Sequence, residues 1–167
     1  MTKPSLPDAE ALLAALTAQM RPHVTAQTGL VGIVTGGAWL AERLHRELKL
    51  EVPHGSLDVS FYRDDFQHKG LKHQVTPSAI PFEVEGRDLI LVDDVLYTGR
   101  TIRAAMNELF DYGRPASIRL AALVDRGGRE LPIAAQFVGT MLELPAQYNI
   151  ELKRDAQGRL SLALQQP

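Results

Sequence analysis

Two hydrophobic periods alternate along the chain, and the points where one gives way to the other mark its elements. Pro7 and Asp8 suit a helix start, after which Ala9, Leu12, Leu13, Leu16 and Met20 fall on one helical face until Pro22. Leu30 to Val34 is a short apolar run closed by Thr35-Gly36-Gly37, and Leu40, Leu44 and Leu48 then recur at every fourth position. That order predicts strand, tight turn and helix, half of a βαβ unit. Leu57, Val59 and Phe61 alternate with Asp58, Ser60 and Tyr62, as a half-buried strand requires. From Asp64 to Pro81 no period holds, and His68, Lys69, Lys72 and His73 are interleaved with Gly70, Pro77 and Pro81. A basic loop of this length suits a lid or a binding element for an anionic substrate. Leu89 to Val92 reads as a strand, Thr101 to Phe110 as a helix stopped by Gly113, and Ile118 to Val124 as the next strand. The central part of Ala134 to Leu142 predicts another strand, and the segments starting at Ile150 and Leu160, on either side of Asp155-Ala-Gln-Gly158, predict a C-terminal β-hairpin. Strands alternating with helices give an α/β fold whose central sheet is mostly parallel and flanked by helices.

Composition narrows the class. A chain of 167 residues, 45% hydrophobic and 23% charged, can bury one self-sufficient core, so one domain over residues 1–167 is expected. The formal net charge of -2 provides no global basic field, and any nucleic-acid partner must meet a local patch. The absence of cysteine excludes disulfides, thiolate nucleophiles and zinc–thiolate sites. Neither a signal-like segment nor an apolar run of about 18 residues is present, so a cytoplasmic protein without membrane association is expected.

The chemistry concentrates between the strand ending at Val92 and the helix starting near Thr101. There the chain reads Asp93-Asp94-Val95-Leu96-Tyr97-Thr98-Gly99-Arg100-Thr101. Ligands of open α/β sheets gather beyond the carboxyl ends of the strands, and a helix N-terminus offers unpaired N–H groups and partial positive charge to an anion. Gly99 lets the backbone approach a phosphate closely, and the hydroxyls of Thr98 and Thr101 can donate to its oxygens. Asp93 and Asp94 would repel that phosphate, so their partners are sugar hydroxyls or a metal brought by the substrate. A purely structural alternative is a capping turn, with Thr98 capping the next helix. The two commonest nucleotide signatures, Gly-x-x-x-x-Gly-Lys and Gly-x-Gly-x-x-Gly, do not match this loop.

The acid pair between an apolar strand and Thr-Gly-Arg-Thr resembles the ribose-phosphate motif of type I phosphoribosyltransferases. Four stretches in order carry a closer likeness: Asp-Val-Ser-Phe-Tyr-Arg-Asp-Asp at 58–65, Val-Asp-Asp-Val-Leu-Tyr-Thr-Gly-Arg-Thr at 92–101, Gly-Arg-Pro-Ala-Ser-Ile at 113–118 and Leu-Val-Asp-Arg-Gly-Gly-Arg-Glu-Leu-Pro-Ile at 123–133. Together they resemble the pyrimidine operon regulator family, bifunctional uracil phosphoribosyltransferases, over roughly residues 8–152.

The resemblance implies the reaction of uracil with 5-phosphoribosyl 1-diphosphate to give UMP and diphosphate, with Mg2+ carried on the diphosphate. It assigns Val95 to Thr101 to the ribose phosphate, with Thr98, Gly99, Arg100 and Thr101 as the 5-phosphate cradle. Asp93 and Asp94 would hold the ribose hydroxyls, one of them favouring the charge that builds at C1. Arg63, at the root of the long loop, is the candidate cation for diphosphate, and Lys69 or Lys72 would join it on loop closure. Thr35, Gly36 and Gly37 occupy the place of the diphosphate turn, where many members carry an arginine instead of Gly36; a glycine turn can still form an anion nest. Base recognition is implied after Val124-Asp125-Arg126 and around Val138-Gly139.

The second implied activity is binding of the leader of pyrimidine-biosynthesis mRNA, with UMP and UTP as regulating ligands. Arg21, His23 and Arg114 are the first candidates, with Arg119, Arg129, Lys153 and Arg154 beside them. Two departures bear on this role: the segment from Arg21 to Thr28 is poor in lysine, and Gly128 stands where members carry histidine. The family resemblance also implies a homo-oligomer. Two other readings remain open at this point: a nucleotide-sensing or RNA-binding regulator with weak or absent catalysis, and a purine-type phosphoribosyltransferase.

Overall fold

The computed structural model describes residues 2–60 and 77–166. Helix α1 (Ala9–Met20) starts where Asp8 accepts the Glu10 N–H and runs into a single 3-10 turn, Arg21–His23, at Pro22. Strand β1 (Gly29–Ile33) leads through Val34-Thr35 into α2 (Gly36–Leu48), and β2 (Gly55–Leu57) follows. Then come β3 (Asp88–Leu96), α3 (Arg100–Asp111), β4 (Ser117–Asp125) and β5 (Phe137–Met141). The antiparallel hairpin of β6 (Asn149–Arg154) and β7 (Leu160–Gln165) completes the described elements.

The central sheet has the order β2-β1-β3-β4-β5, and every pairing in it is parallel. Alternation along each strand divides the core between two faces. Leu30, Ile90, Val92, Ala121 and Leu123 point toward α1 and α2, where they meet Leu13, Leu16, Leu40 and Leu44. Val31, Ile33, Leu89, Leu91 and Leu120 point the other way, onto Ile102, Ala105 and Leu109 of α3. The helix after β1 and the helix after β3 therefore lie on opposite faces of the sheet, and the crevice between these adjacent strands is a topological switch point.

Three boundaries differ from the sequence reading. Strand β3 does not stop at Val92 but runs through both acids to Leu96, because β4 pairs with it as far as Leu96↔Asp125. The strand expected from Leu57 onward ends at Leu57, and Phe61 lies outside the described residues. The long aperiodic stretch includes an ordered contact at its end: Ala79 exchanges two main-chain hydrogen bonds with Ser56, at 2.8 and 2.9 Å, extending the β2 edge. Residues 61–76, which hold most of that stretch, are outside the described set.

The hairpin is fastened to the α1–α2 face mainly by Leu152 and Leu160, which are 3% and 1% exposed. Two buried leucines contribute about 1.5–3 kcal/mol each, which outweighs a half-exposed ion pair at about 0.2–1 kcal/mol. Apolar contact therefore holds the hairpin to the body, and polar contacts adjust its position.

At the β2 edge, His54 packs edge-on against His45 of α2, with ring centroids 5.4 Å apart. Burial, and then the neighbouring His45, hold His54 below its ordinary pKa of 6.5, while Glu42 pulls the other way. A histidine whose folded pKa is depressed leaves stability unchanged above the unfolded value and reduces it as pH falls below that value. Thermal denaturation is therefore expected to show stability falling below pH 6.5, and His54→Gln should flatten that part of the profile.

Candidate active site

The carboxyl ends of β1 and β3 open into a cavity of about 570 Å³. Thr35, Gly36 and Trp39 form one wall, Asp93, Asp94 and Val95 the floor, and Tyr97, Thr101 and Arg126 a second wall. Asn149, Ile150, Glu151 and Leu152 of β6, with Gln165 of β7, form the roof.

The acid pair is held by its own backbone. Asp93 is 7% exposed, and its Oδ1 accepts the Asp94 N–H at 2.9 Å. Asp94 Oδ1 accepts the Val95 N–H at 2.8 Å, while its other oxygen lies against Gly36. A Cβ at position 36 would overlap that carboxylate. The glycine noted as a departure from the family pattern thus lets the acid approach the turn that opens α2. Gly37 does a different job: a Cβ there would overlap the main-chain oxygen of Val92, so the helix start and β3 touch backbone to backbone. Gly36 and Gly37 are both buried.

The carboxyl end of the motif is a sharp turn into α3. Gly99 has φ 93°, a left-handed conformation that favours glycine, and a side chain there would also meet Ile133 at 2.9 Å. Thr98 Oγ1 accepts the Arg100 N–H at 3.2 Å, so the capping alternative is partly realised. That bond uses a lone pair and leaves the hydroxyl proton free to be donated to a phosphate oxygen. Arg100 is half-buried and pairs with Glu130 at 3.3 Å.

Arg126 joins the site to its surroundings. It is 5% exposed, its guanidinium lies 4.1 Å from the centroid of the Tyr97 ring, and it donates to the Tyr148 oxygen at 2.8 Å and the Pro145 oxygen at 3.4 Å. Its Nε is buried with no hydrogen-bond partner among the described residues. A buried guanidinium with one unused donor on a cavity wall is a ready contact for an acceptor on a ligand.

The structure does not gather all the expected residues. Thr35, Gly36, Asp93, Asp94, Val95, Tyr97 and Thr101 reach the cavity, whereas Leu96 is 1% exposed and belongs to the core. Val138 does not line the cavity. It sits on β5 away from the cavity, with its N–H and C=O both engaged by the Gln19 side-chain amide at 3.2 and 2.7 Å, so its main-chain edge is already occupied. Strand β6 instead brings Asn149, Ile150 and Glu151 to the cavity, of which Ile150 and Glu151 were expected only as part of a tail hairpin. Arg63, Lys69 and Lys72 lie outside the described residues. Arg129, one of the candidate RNA contacts, is engaged within the molecule. It pairs with Asp125 at 2.5 Å and donates to the main-chain oxygens of Tyr97 and Ile133, which ties the loop around the site. Arg154 is committed to Glu42 at 3.5 Å and to the Trp39 ring at 4.7 Å.

Arg21, His23 and Arg114 are exposed at the opposite end of the sheet, before the amino ends of β1 and β4. Arg119 joins them by donating to the His23 oxygen at 3.4 Å.

Comparison with known proteins places this architecture. Residues 5–150 match the phosphoribosyl transferase domain family. The bifunctional protein PyrR of Pseudomonas aeruginosa is 54% identical over 153 residues, covering 89% of this chain and 89% of that protein. The bifunctional protein PyrR of Ralstonia nicotianae is 50% identical over 155 residues, covering 90% of this chain and 88% of its own. The fold also matches a hypoxanthine-guanine phosphoribosyltransferase of Bacillus anthracis with TM-score 0.65 at 20% identity, covering 86% of this chain and 84% of that one. On these matches the chain belongs to the phosphoribosyltransferase domain family and, within it, to the bifunctional PyrR proteins.

Proposed function

We propose that this protein transfers ribose 5-phosphate from 5-phosphoribosyl 1-diphosphate to uracil, forming UMP and diphosphate, and that it regulates pyrimidine biosynthesis genes through uridine-nucleotide-dependent binding of their leader mRNA. The observation that carries the reaction is the acid pair at the switch point, flanked by two helix N-termini that open toward one cavity. The start of α3, with Thr98, Gly99 and Thr101, receives the 5-phosphate. The start of α2, with Gly36 and Gly37, offers N–H groups to the diphosphate. Asp93 and Asp94 hold the ribose hydroxyls between them, and the carboxylate charge favours the positive charge that builds at C1 as diphosphate departs.

Base selection is assigned to the roof. Within the described sheets β6 pairs with β7 alone, so its other edge carries main-chain N–H and C=O groups without a strand partner. Uracil presents an acceptor, a donor and a second acceptor in a row, which is the alternation a strand edge can read. Arg126 adds a cationic donor on the adjoining wall.

Magnesium fits the donor set, since Asp93 and Asp94 are hard-oxygen ligands on the cavity floor. It arrives on the diphosphate, and when bound it neutralises charge on the leaving group. The reaction takes place in the cytoplasm, and no helix of the described residues is long and apolar enough to cross a membrane.

RNA binding is assigned to Arg21, His23 and Arg114, at the amino ends of the strands and away from the catalytic cavity. Alanine at all three is expected to weaken binding to a pyrimidine-operon leader and to make the affinity less salt-dependent, while leaving UMP formation unchanged; gel shifts over a salt series, with and without UMP, measure this. Self-association is supported by Phe110, Tyr112 and Met141, which are 57%, 44% and 72% exposed. The decisive test of the whole reading is turnover of uracil with 5-phosphoribosyl 1-diphosphate and Mg2+: UMP should form, and hypoxanthine and guanine should react far more slowly. Faster turnover of the purines would overturn the assignment.

A further inference from the structure

The roof of the cavity is not part of the central sheet. It is a separate two-stranded hairpin whose β6 residues line the cavity while its turn lies against α1 and α2. The hairpin is held near both ends. At its start, Arg126 grips the Tyr148 and Pro145 oxygens beside the cavity. At its turn, Glu10 of α1 and Arg43 of α2 form a two-pronged ion pair, Nη1 to Oε1 at 3.1 Å and Nη2 to Oε2 at 2.9 Å. The pair then reaches the hairpin from both members. Glu10 Oε1 also accepts the Leu160 N–H at 2.8 Å, and Arg43 Nη1 donates to the Gly158 oxygen at 3.4 Å.

We propose that the Glu10–Arg43 pair is a positioning clamp: joining the two helices to the hairpin turn, it sets the height of the β6 edge over the base. Neither residue lines the cavity, so neither is a catalytic residue. The inference rests on the reading that β6 contacts the base. Leu160 pairs with Arg154 and Leu162 with Leu152, so the clamped residue is two positions along β7 from the partner of a roof residue. A shift at Leu160 is transmitted through that register to Leu152 and Ile150. Leu152 and Leu160 anchor the hairpin by burial, 3% and 1% exposed, so loss of the pair should loosen the hairpin without detaching it.

The chemistry of the pair agrees with this role. Hydrogen bonding from Arg43, supported by the Leu160 N–H and opposed by burial, holds the Glu10 carboxyl below its ordinary 4.5. A depressed carboxylate contributes its stabilisation above the unfolded pKa and loses it as pH falls through the folded value, so the clamp is intact at neutral pH and opens only in acid.

The test compares the parent protein with Glu10→Ala, Glu10→Gln and Arg43→Met. Measurements are steady-state kinetics, thermal melts and amide hydrogen exchange of the hairpin. Glu10→Ala is expected to raise KM for uracil about 5- to 10-fold, with KM for 5-phosphoribosyl 1-diphosphate within about 2-fold of the parent, in keeping with lost placement of one substrate only. Exchange in residues 149–154 and 160–165 should accelerate while the central strands keep their protection. Glu10→Gln keeps an acceptor for the Leu160 N–H and should fall between the parent and Glu10→Ala. Unchanged uracil KM and unchanged hairpin exchange in Glu10→Ala would overturn the clamp, as would equal rises in both KM values. If the parent itself formed no UMP, the assignment of the reaction would fail on its own account. The clamp would then be decided by exchange alone, with hairpin-confined acceleration supporting it and its absence overturning it.

Discussion

Asp94→Asn is expected to lower kcat for UMP formation by about 10²- to 10³-fold, the usual cost of losing one preorganised electrostatic contact to a developing charge. The substitution changes charge and scarcely any volume. Asparagine can keep the oxygen that accepts the Val95 N–H at 2.8 Å, so the strand end should survive. What it loses is a negative oxygen beside Gly36, on the floor of the cavity where the ribose is assigned. If the carboxylate acts mainly as positive charge builds at C1, kcat and kcat/KM fall together; if it merely binds the sugar hydroxyls, KM rises and kcat holds. Steady-state kinetics with an accompanying thermal melt separate the two. Unchanged kinetics would show that the acid serves only its main-chain bond. Asp93, which is 7% exposed and accepts the Asp94 N–H, is tied more closely to the strand and is the poorer choice for this test.

Gly37→Ala is expected to destabilise the protein through a backbone clash at the start of α2. The added Cβ would overlap the Val92 oxygen and lie 3.1 Å from the Asp93 Cα, and both neighbours are backbone atoms that cannot rotate away. Gly32, on β1, faces the same junction, and a Cβ there would overlap the Gly37 oxygen. Overpacking of this kind costs about 1–3 kcal/mol or more. For a chain of this size each kcal/mol lowers Tm by about 2–4 °C. Activity should fall further than stability predicts, because the displaced β3 end carries the acid pair. Gly36→Ala is the informative contrast. Its Cβ would meet the Asp94 carboxylate, a side chain that can swing aside, so Tm should hold while turnover drops. Equal Tm values for the two variants in a melt would sink this division of labour between neighbouring glycines.

Much of the fold could be read from residue order. Helix α1 was expected from Ala9 to Met20 and forms over that range, because Asp8 starts it and Pro22 bars its continuation. The parallel sheet followed from strands that alternate with helices. The sharp turn into α3 was legible in the loop Val92 to Thr101 because Gly99 stands between two threonines just before the helix. The extension of β3 through the acids was not legible. Asp93-Asp94 has poor strand propensity, and pairing with β4 carries the strand on regardless.

The hairpin shows the same limit. Its two strands were visible from their apolar spacing, but period and turn residues say nothing of where a hairpin docks. Leu152, Leu160, Glu10 and Arg43 are separated by up to 150 positions, and their meeting depends on long-range packing. The surroundings of Val138 were hidden for a related reason. A strand residue was expected to offer free main-chain groups, and Gln19, 119 positions away, occupies them.

Sequence alone determined local character: which segment turns sharply, which carries hydroxyls and amides, which carries the acids. Those properties depend on neighbours a few residues apart and survive any arrangement of the rest. The tertiary structure decided which wall each group joins. It brought Arg126 and the β6 edge over the cavity, gave Gly36 and Gly37 separate tasks, and turned Arg21, His23 and Arg114 to the opposite end of the sheet. Such outcomes arise from burial and register between distant segments, energies that a linear pattern contains only in sum.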